Sequence, residues 1–578
     1  MTLENNFKTE DMLKLGFYVS LLALIWNLPT LGNNLMPRNF MGWFGIIVIS
    51  GLVISFSIWN GKLLFSKSLI LLFIPPVAFI LHGIIFPPTE TMYYYMWLAF
   101  GASFTFPIYV LALMQVDSAD LIWLKISNLL LLILAIQASI SEFLPIFSFG
   151  RFLLNALPIE LRAVSAGFQQ TNLMASFLAT LILWAWALRV KFDDKSSGSW
   201  VYLFVVTIPL SIVVFKTGSR TAGLGLIGGI LFIVAYSYFY GNFRRSFIMI
   251  ASIGTALIIQ SVFLVDFSDK TGFSNSFTEV VSGSSTLIRL VFYHVSYLAG
   301  LDEWMFGHGL GNFSEAYYQT FYATKDIHSS WRHVHALAHP HNEILMHWVE
   351  MGLYGIIFIV IPVAIFLVRI LFQSGGNSLI LIASLLPIGI HSQTEMVLHA
   401  SGFHWFLLGM VIVSLMTNKC LKVYVLPRYL LSFPIFLSLF GFWLTISTAL
   451  AGENAFWNKV SADRAGNLGL HLKRLTQGDE LNHWILGTET NDRIIKSMMA
   501  VALNANNKKA VAKFLPRLLD QNNRWQERDG WAQIAQAYLL LGEIDKYKSH
   551  MQKVQIFDPK YADYLEKAFD VKLESVKS

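Results

Sequence analysis

Four histidines fall within nine residues of the run Trp331-Arg332-His333-Val334-His335-Ala336-Leu337-Ala338-His339-Pro340-His341-Asn342-Glu343. Imidazole titrates near neutral pH, so such a cluster suits either a metal ion or a general base that takes a hydroxyl proton. Glu343 would add a carboxylate to a metal set, although the HExxH spacing is absent. His333 and His335 read as solvated loop positions. Pro340 restricts the backbone of His339, and His341-Asn342 opens an apolar helix. A base held at a helix start is better positioned than one in a loop, so His341 leads and His339 follows.

Cations stand nearby in sequence. Phe215-Lys216-Thr217-Gly218-Ser219-Arg220-Thr221 is a short link between two apolar runs. Lys216 and Arg220 there either snorkel to lipid headgroups or bind an anion, and a guanidinium fork matches phosphate. Arg289 follows Ser284-Ser285-Thr286-Leu287-Ile288 at the start of an amphipathic helix predicted to reach about Leu298. The run Gly307-His308-Gly309-Leu310-Gly311-Asn312-Phe313 lacks the Gly-Lys-Ser/Thr end of a phosphate loop and reads as a turn. Two more polar segments interrupt the apolar sequence. In Gln169-Gln170-Thr171-Asn172, Asn172 could cap a helix or meet a ligand, whereas Gln170 has no capping need. In His391-Ser392-Gln393-Thr394-Glu395, the carboxylate at membrane depth needs a partner, either a histidine that it orients or an arginine.

These residues must be positioned by a lipid-soluble scaffold. Of 578 residues, 55% are hydrophobic and 13% charged, with mean hydropathy +0.54. Soluble proteins carry about 25% charged residues, so a disordered chain is excluded and a wholly soluble enzyme disfavoured. The charges are unevenly shared. Residues 451–578 hold 19 Lys/Arg and 16 Asp/Glu, a soluble density, and residues 1–450 hold only 43 charged residues. The chain therefore divides into a membrane body, 1–450, and a water-soluble C-terminal domain, 451–578. The net charge of +6 fits basic inner loops, and no basic stripe interleaved with aromatics suggests nucleic acid. A single cysteine, Cys420, excludes an intrachain disulfide or a cysteine-based metal site.

Crossing the hydrocarbon core takes roughly 20 apolar residues. Thirteen runs approach this: 13–32, 40–59, 68–86, 93–114, 121–140, 172–190, 200–215, 222–240, 246–265, 352–372, 378–393, 402–417 and 429–450. The fold class predicted is an all-α polytopic membrane protein of about thirteen transmembrane helices. With the N-terminus inside, thirteen Lys/Arg fall on inner segments and five on outer short loops, among them Lys216 and Arg220. The first run reads as a retained span, and the long loop 266–351 and the tail lie outside. Within the tail, residues 530–569 predict two helices joined at Leu541-Gly542. Trp531, Ala535, Tyr538, Tyr547 and Pro559 there resemble one tetratricopeptide-like repeat.

In this order the chain carries Gln170-x-Asn172, Ser219-Arg220, Arg289 ahead of the glycine run, His341-Asn342 followed by Glu350-x-Gly352-Leu353-x-Gly355, and His391-Ser392-Gln393-x-Glu395. The ordered set resembles the bacterial O-antigen ligase and polymerase superfamily. Within it, the pilin-glycosylating O-oligosaccharyltransferases of the PglL and PglS kind look most similar. The resemblance covers roughly 160–415 by motif. It implies a GT-C-like membrane glycosyltransferase of the bacterial inner membrane, acting at the periplasmic face. Such an enzyme moves a preassembled glycan from an undecaprenyl-pyrophosphate carrier to a Ser/Thr hydroxyl of a pilin-like periplasmic protein. Ligases use lipid A-core and polymerases a growing chain instead, and these motifs do not separate the three.

The resemblance also implies roles. Arg220 and Arg289, helped by Lys216, would stabilise the pyrophosphate leaving group, and His341 or His339 would be the base. Gln170, Asn172, Asn342, His391 and Glu395 would position glycan, acceptor or base. No metal or other cofactor is expected, and the partners are the lipid-linked glycan, the acceptor and the bilayer, with no nucleic acid. The folded tail favours a protein acceptor by family analogy. The chain departs from the pattern at Glu395-Met396-Val397, where many members carry Glu-Tyr-Pro, and His399 and His404 have no assigned role. A lipid-linked glycan transporter would instead spread its charges over both faces and show internal repeats. Reporter fusions at residue 190 and at the C-terminus are expected to report cytoplasm and periplasm respectively. A cytoplasmic C-terminus would overturn the predicted layout.

Overall fold

A chain dissolved largely in lipid must close its backbone hydrogen bonds within itself, and helices do this locally. The computed structural model is accordingly helical. It describes residues 11–17, 37–61, 63–87, 93–116, 119–143, 171–192, 197–240, 243–263, 284–324, 337, 339–373, 376–416, 422–424, 487–525, 528–557 and 560–567. Among the described residues, seven helical segments are long and apolar enough to cross a membrane: Gly42–Trp59, Lys67–Ile85, Ile122–Ile140, Thr171–Lys191, Ser197–Lys216, Arg220–Phe239 and Glu343–Gln373. Shorter apolar helices cover Gly101–Leu113, Ser246–Ser261, Ser378–His391 and Gly402–Leu415. All of these overlap predicted runs, but Glu343–Gln373 begins nine residues before the run at 352–372, inside the predicted outer loop 266–351. The run at 429–450 and most of that at 13–32 lie outside the described residues.

The chain forms two compact units. The first comprises Met1–Phe79, Ala99–Thr286 and Ile357–Ala449. At its centre is the helix Thr171–Lys191, whose side chains from Leu173 to Val190 are all buried. It packs against Ala119–Phe143, Ser197–Lys216, Arg220–Phe239 and the 3₁₀ segment Gly376–Leu385. A helix enclosed this way must satisfy its polar groups on its neighbours. Trp184 donates to Ser414 Oγ (3.2 Å), Trp186 to Thr207 Oγ1 (3.1 Å) and Arg189 to Asn128 Oδ1 (2.9 Å). Beside the helices, Leu63–Phe65 pairs antiparallel with Lys422–Tyr424, a ladder the apolar pattern did not predict. A two-stranded ladder leaves its outer edge open. The Gln115 carboxamide fills it, accepting from Leu64 N and donating to Leu64 O, both at 2.7 Å.

The second unit comprises Ile80–Leu98, Leu287–Ile356 and Leu450–Ser578. The predicted amphipathic helix is present and longer than expected, Ser284–Asp302, and a further helix, Phe313–Ala323, follows the glycine run. Among the described residues, the tail has the helices Gly487–Asn504, Lys508–Trp525, Arg528–Leu541 and Ile544–Phe557, each packed on the next, and residues 560–567 are helical as well. Lys508–Trp525 also packs on Phe313–Ala323. The predicted break at Leu541-Gly542 is a Schellman cap: Glu543 N donates to Tyr538 O and Gly542 N to Leu539 O, with Gly542 at φ 84°. Trp531, Ala535, Tyr538 and Tyr547 are buried in the tail's core.

The helix that starts at Glu343 is broken at Gly352, where φ is 58° and ψ −148°. The segment Trp304–Gly311 wraps that break. Leu353 N donates to Trp304 O (2.8 Å), His308 N to Val349 O (3.0 Å) and Gly309 N to Glu350 O (2.9 Å). The approach is close enough that a β-carbon on Gly352 would fall 2.6 Å from Trp304 O, and one on Gly307 would overlap Glu350 and Met351. Gly542 has a similarly positive φ but open space around it. Gly542→Ala is therefore expected to cost about 1–2 kcal/mol, from backbone conformation alone. Gly307→Ala adds the overlap and is expected to cost about 3 kcal/mol or more. Unfolding of the two detergent-solubilised variants compares them, and equal losses would refute the close approach.

Candidate functional site

The second unit holds His339 and His341. Helix Ser284–Asp302 places Arg289, Phe292 and Tyr293 on one face, three and four residues apart. Phe292 stacks on the His341 ring, with centroids 5.6 Å apart and planes 15° from parallel. The Tyr293 hydroxyl donates to His341 O (3.5 Å). Arg289 stands one turn away from this contact, about 5.4 Å along the axis. His341 itself adopts φ 56°, the left-handed region, which an L-residue enters at a cost of roughly 1–2 kcal/mol. The chain turns sharply at His341 before Asn342 starts the helix. Asn342 Oδ1 accepts from Leu345 N (3.0 Å), a helix N-cap that occupies the amide oxygen.

The segment entering this turn is pinned at both backbone groups of Leu337. Leu337 N donates to the Tyr318 hydroxyl (2.8 Å), and Ser314 Oγ donates to Leu337 O (2.7 Å). Burial raises the phenols of Tyr317, Tyr318 and Tyr322 above their usual range, so they stay protonated and neutral. At the other end, His341 N donates to His339 Nδ1 (3.3 Å), and the two rings meet edge to face at 4.5 Å. An Nδ1 that accepts a hydrogen bond carries no proton. His339 is then the neutral Nε2–H tautomer, a donor at its other nitrogen.

The glycine run acts as a turn, as expected, and its amides serve the protein. Glu350 is buried, and its Oε1 accepts from Gly311 N (2.9 Å), while the neighbouring backbone bonds clasp the helix break. The Glu350-x-Gly352 pattern is thus half of a socket, with the glycine run as the other half.

In the first unit, Lys216 ends one helix and Arg220 starts the next. Ser219 caps that helix by accepting from Ala222 N (3.4 Å). Lys216 is exposed and Arg220 half-buried. A cation in the first helical turn sits at the positive end of the dipole, an arrangement that a bound anion would offset. Asn172 stands half-buried in the first turn of Thr171–Lys191, one turn before Ser176. Glu395 is buried, and its amide donates to His391 O (2.8 Å). His391 is wholly enclosed, with Nδ1 2.7 Å from Ser176 Oγ. The same hydroxyl lies 2.9 Å from His404 Nε2. The sequence patterns did not single out Ser176, and His404 stood without a role. The one available signal was the spacing of four residues from Asn172 to Ser176.

Gln170, His333 and His335 lie outside the described residues. Among the described residues, no group of three or more His, Cys, Asp or Glu converges as a metal set would. His339, His341, Asn342 and Arg289 share the second unit, and Lys216, Arg220, Asn172, His391 and Glu395 share the first.

Residues 203–360 match the family model described as Wzy_C, O-Antigen ligase. That stretch is similar to a domain of glycan-transferring enzymes that use a lipid-linked glycan, and it contains Lys216, Arg220, Arg289, His339, His341 and Asn342. Gln170, Asn172, His391 and Glu395 lie beyond it. No curated protein matches the chain. Because Tyr318 holds the approach to His341, Tyr318→Phe leaves a buried N–H unpaired and is expected to cost about 1–3 kcal/mol. Hydrogen exchange of Leu337 should accelerate in this variant, and unchanged exchange would show that the bond does not hold the segment.

Proposed function

We propose that this protein is an O-linked protein oligosaccharyltransferase of the bacterial inner membrane. It transfers a preassembled glycan from an undecaprenyl-pyrophosphate carrier to a Ser/Thr hydroxyl of a periplasmic, pilin-like protein. One observation carries the reading: a left-handed histidine at a helix start, stacked on Phe292 one turn from Arg289, inside the stretch similar to O-antigen ligases. Backbone strain of this kind concentrates where a side chain must be aimed.

In this reading His341 is the general base, because His339 already accepts on Nδ1 and offers a proton at its other nitrogen. His341 takes the proton as the acceptor oxygen attacks the anomeric carbon. The bond from that carbon to the pyrophosphate oxygen breaks, and the carrier pyrophosphate departs with the electron pair. Arg289 stabilises the charge that develops there. In the first unit, Arg220 at its helix start and exposed Lys216 suit a phosphate group. Gln170, Asn172, Asn342, His391 and Glu395 serve substrate positioning, and no metal takes part. The tail, whose sequence at 530–569 resembles one tetratricopeptide-like repeat, favours a protein acceptor in this reading, since repeats of this kind present helical surfaces to polypeptides.

Similarity to O-antigen ligases specifically favours a second reading, in which the acceptor is a lipopolysaccharide core. Mass spectrometry of periplasmic proteins and lipopolysaccharide from deletion and complemented strains separates the two. A lost glycopeptide selects the protein acceptor, and truncated lipopolysaccharide selects the ligase.

Glycine accepts the backbone of residue 341 without strain. His341→Gly is therefore expected to keep the fold and lose transfer by about 100-fold or more, the usual scale for a general base. Arg289→Ala and Arg220→Ala are expected to abolish transfer while the protein still inserts. Full transfer by Arg289→Ala would remove the charge-stabilisation argument. Transfer should survive a strong chelator, and loss rescued by Zn²⁺ or Mn²⁺ would revive a metal at the histidines.

A further inference from the structure

Apart from the positioning role given to His391, the buried His391–Ser176–His404 knot has no part in the chemistry above, yet it joins three helices of the first unit. Ser176 lies on Thr171–Lys191, His391 ends Leu386–His391, and His404 lies in the first turn of Gly402–Leu415. All three residues have zero exposure. A hydroxyl offers one proton and two lone pairs, so it can serve three partners at once. Ser176 Oγ has three: Leu173 O at 3.0 Å, His391 Nδ1 at 2.7 Å and His404 Nε2 at 2.9 Å. With the hydroxyl proton on Leu173 O, both imidazoles donate N–H to the same oxygen, which fixes both tautomers and both ring planes. The edge of the His404 ring is further set against Phe177, 5.8 Å between centroids.

The knot has two outputs. His391 O accepts from Thr394 N (3.0 Å) and Glu395 N (2.8 Å), and Thr394 Oγ1 also donates to it (3.2 Å). The turn that carries Glu395 is therefore gathered on His391, whose ring is held by Ser176. Asn172 is four residues before Ser176 on the same helix, hence on the same face. A shift of Ser176 relative to His391 would move Asn172 and Glu395 relative to each other.

We propose that Ser176 and His404 are positioning residues that act through His391 to hold Asn172 and the Glu395 turn in a fixed register for the glycan substrate. This rests on the assignment of Asn172 and Glu395 to substrate binding made above. A bond that served packing alone would affect stability and leave substrate affinity and coupling to Glu395 unchanged.

The test combines a measurement that needs no activity with one that does. Full-length protein in detergent is compared as wild type, Ser176→Ala and His404→Phe, the second guarding against misfolding of the first. Hydrogen exchange of peptides covering 391–396 should accelerate about 10-fold or more in both variants, with the tail helices unchanged. Unchanged exchange there, or acceleration throughout the protein, overturns the proposal. In glycan transfer from a lipid-pyrophosphate donor, Ser176→Ala should raise donor KM about 10-fold, with a smaller change in kcat. In the Glu395→Gln background the same substitution should cost less than about 2-fold, because the group it positions has already been altered. Additive losses overturn the proposal. Wild-type protein that transfers no glycan removes the proposed function instead, and the exchange measurement then decides the positioning role alone.

Discussion

The constraint on which the structure depends is that polar groups carried into a lipid-soluble body must find partners inside the protein. Lipid tails are as apolar as the helices, so apolar burial alone does little to select one helix arrangement over another. Directional contacts do the selecting. The helix Thr171–Lys191 illustrates this, since it is buried from Leu173 to Val190 yet carries Ser176, Trp184, Trp186 and Arg189. Each reaches a different neighbour: the His391 and His404 rings, Ser414, Thr207 and Asn128. Lys191 adds a bond to Ser414 O at 2.9 Å, which ties the same helix again near its end. The arrangement around this helix is thus specified by a few hydrogen bonds set in otherwise interchangeable apolar contact.

The second unit obeys the same constraint at its irregular backbone. A helix interrupted at Gly352 leaves amides and carbonyls without their helical partners. The segment from Trp304 to Gly311 supplies them, and Glu350 turns its carboxylate to the Gly311 amide. The approach to His341 is treated likewise, with both backbone groups of Leu337 paired to side chains of Phe313–Ala323. The glycines are therefore required by an intramolecular clasp. A ligand-binding account of the run would have to release bonds that the helix break needs.

What was legible in the sequence follows from the range over which each signal acts. Apolar runs mark helices because each residue reports on its own surroundings, and the observed apolar helices overlap predicted runs. Local chemistry was equally readable: Gly542 ends a helix, and Asn342 begins one. The Ser176–His404 and Ser176–His391 contacts join residues 228 and 215 positions apart, and no periodicity records such a pairing. The ladder of Leu63–Phe65 with Lys422–Tyr424 was hidden for the same reason. Phe313–Ala323 escaped because its apolar face, with Tyr317, Tyr318 and Phe321, sits in a loop otherwise read as polar. The order of the motifs singled out His341 and Arg289, and the structure places both in the second unit, where Phe292, one turn from Arg289, stacks on His341.

Exposure separates the polar residues of the candidate site into two kinds. Arg220, Arg289, His339, His341 and Asn342 are half-buried and stand near helix starts or turns. Ser176, His391 and His404 are fully enclosed. A group that meets a substrate must be reachable, whereas a group that fixes geometry works best where water cannot compete for its bonds. The stretch similar to O-antigen ligases contains these five residues, but not the half-buried Asn172, and none of the enclosed three. Arg220, Arg289, His339, His341 and Asn342 therefore lie in one continuous segment, whereas the helices joined at the Ser176 hydroxyl come before and after it. The proposed reaction, driven by charge placement, would need such bracing, because a misplacement of about 1 Å can cost about 100-fold in rate.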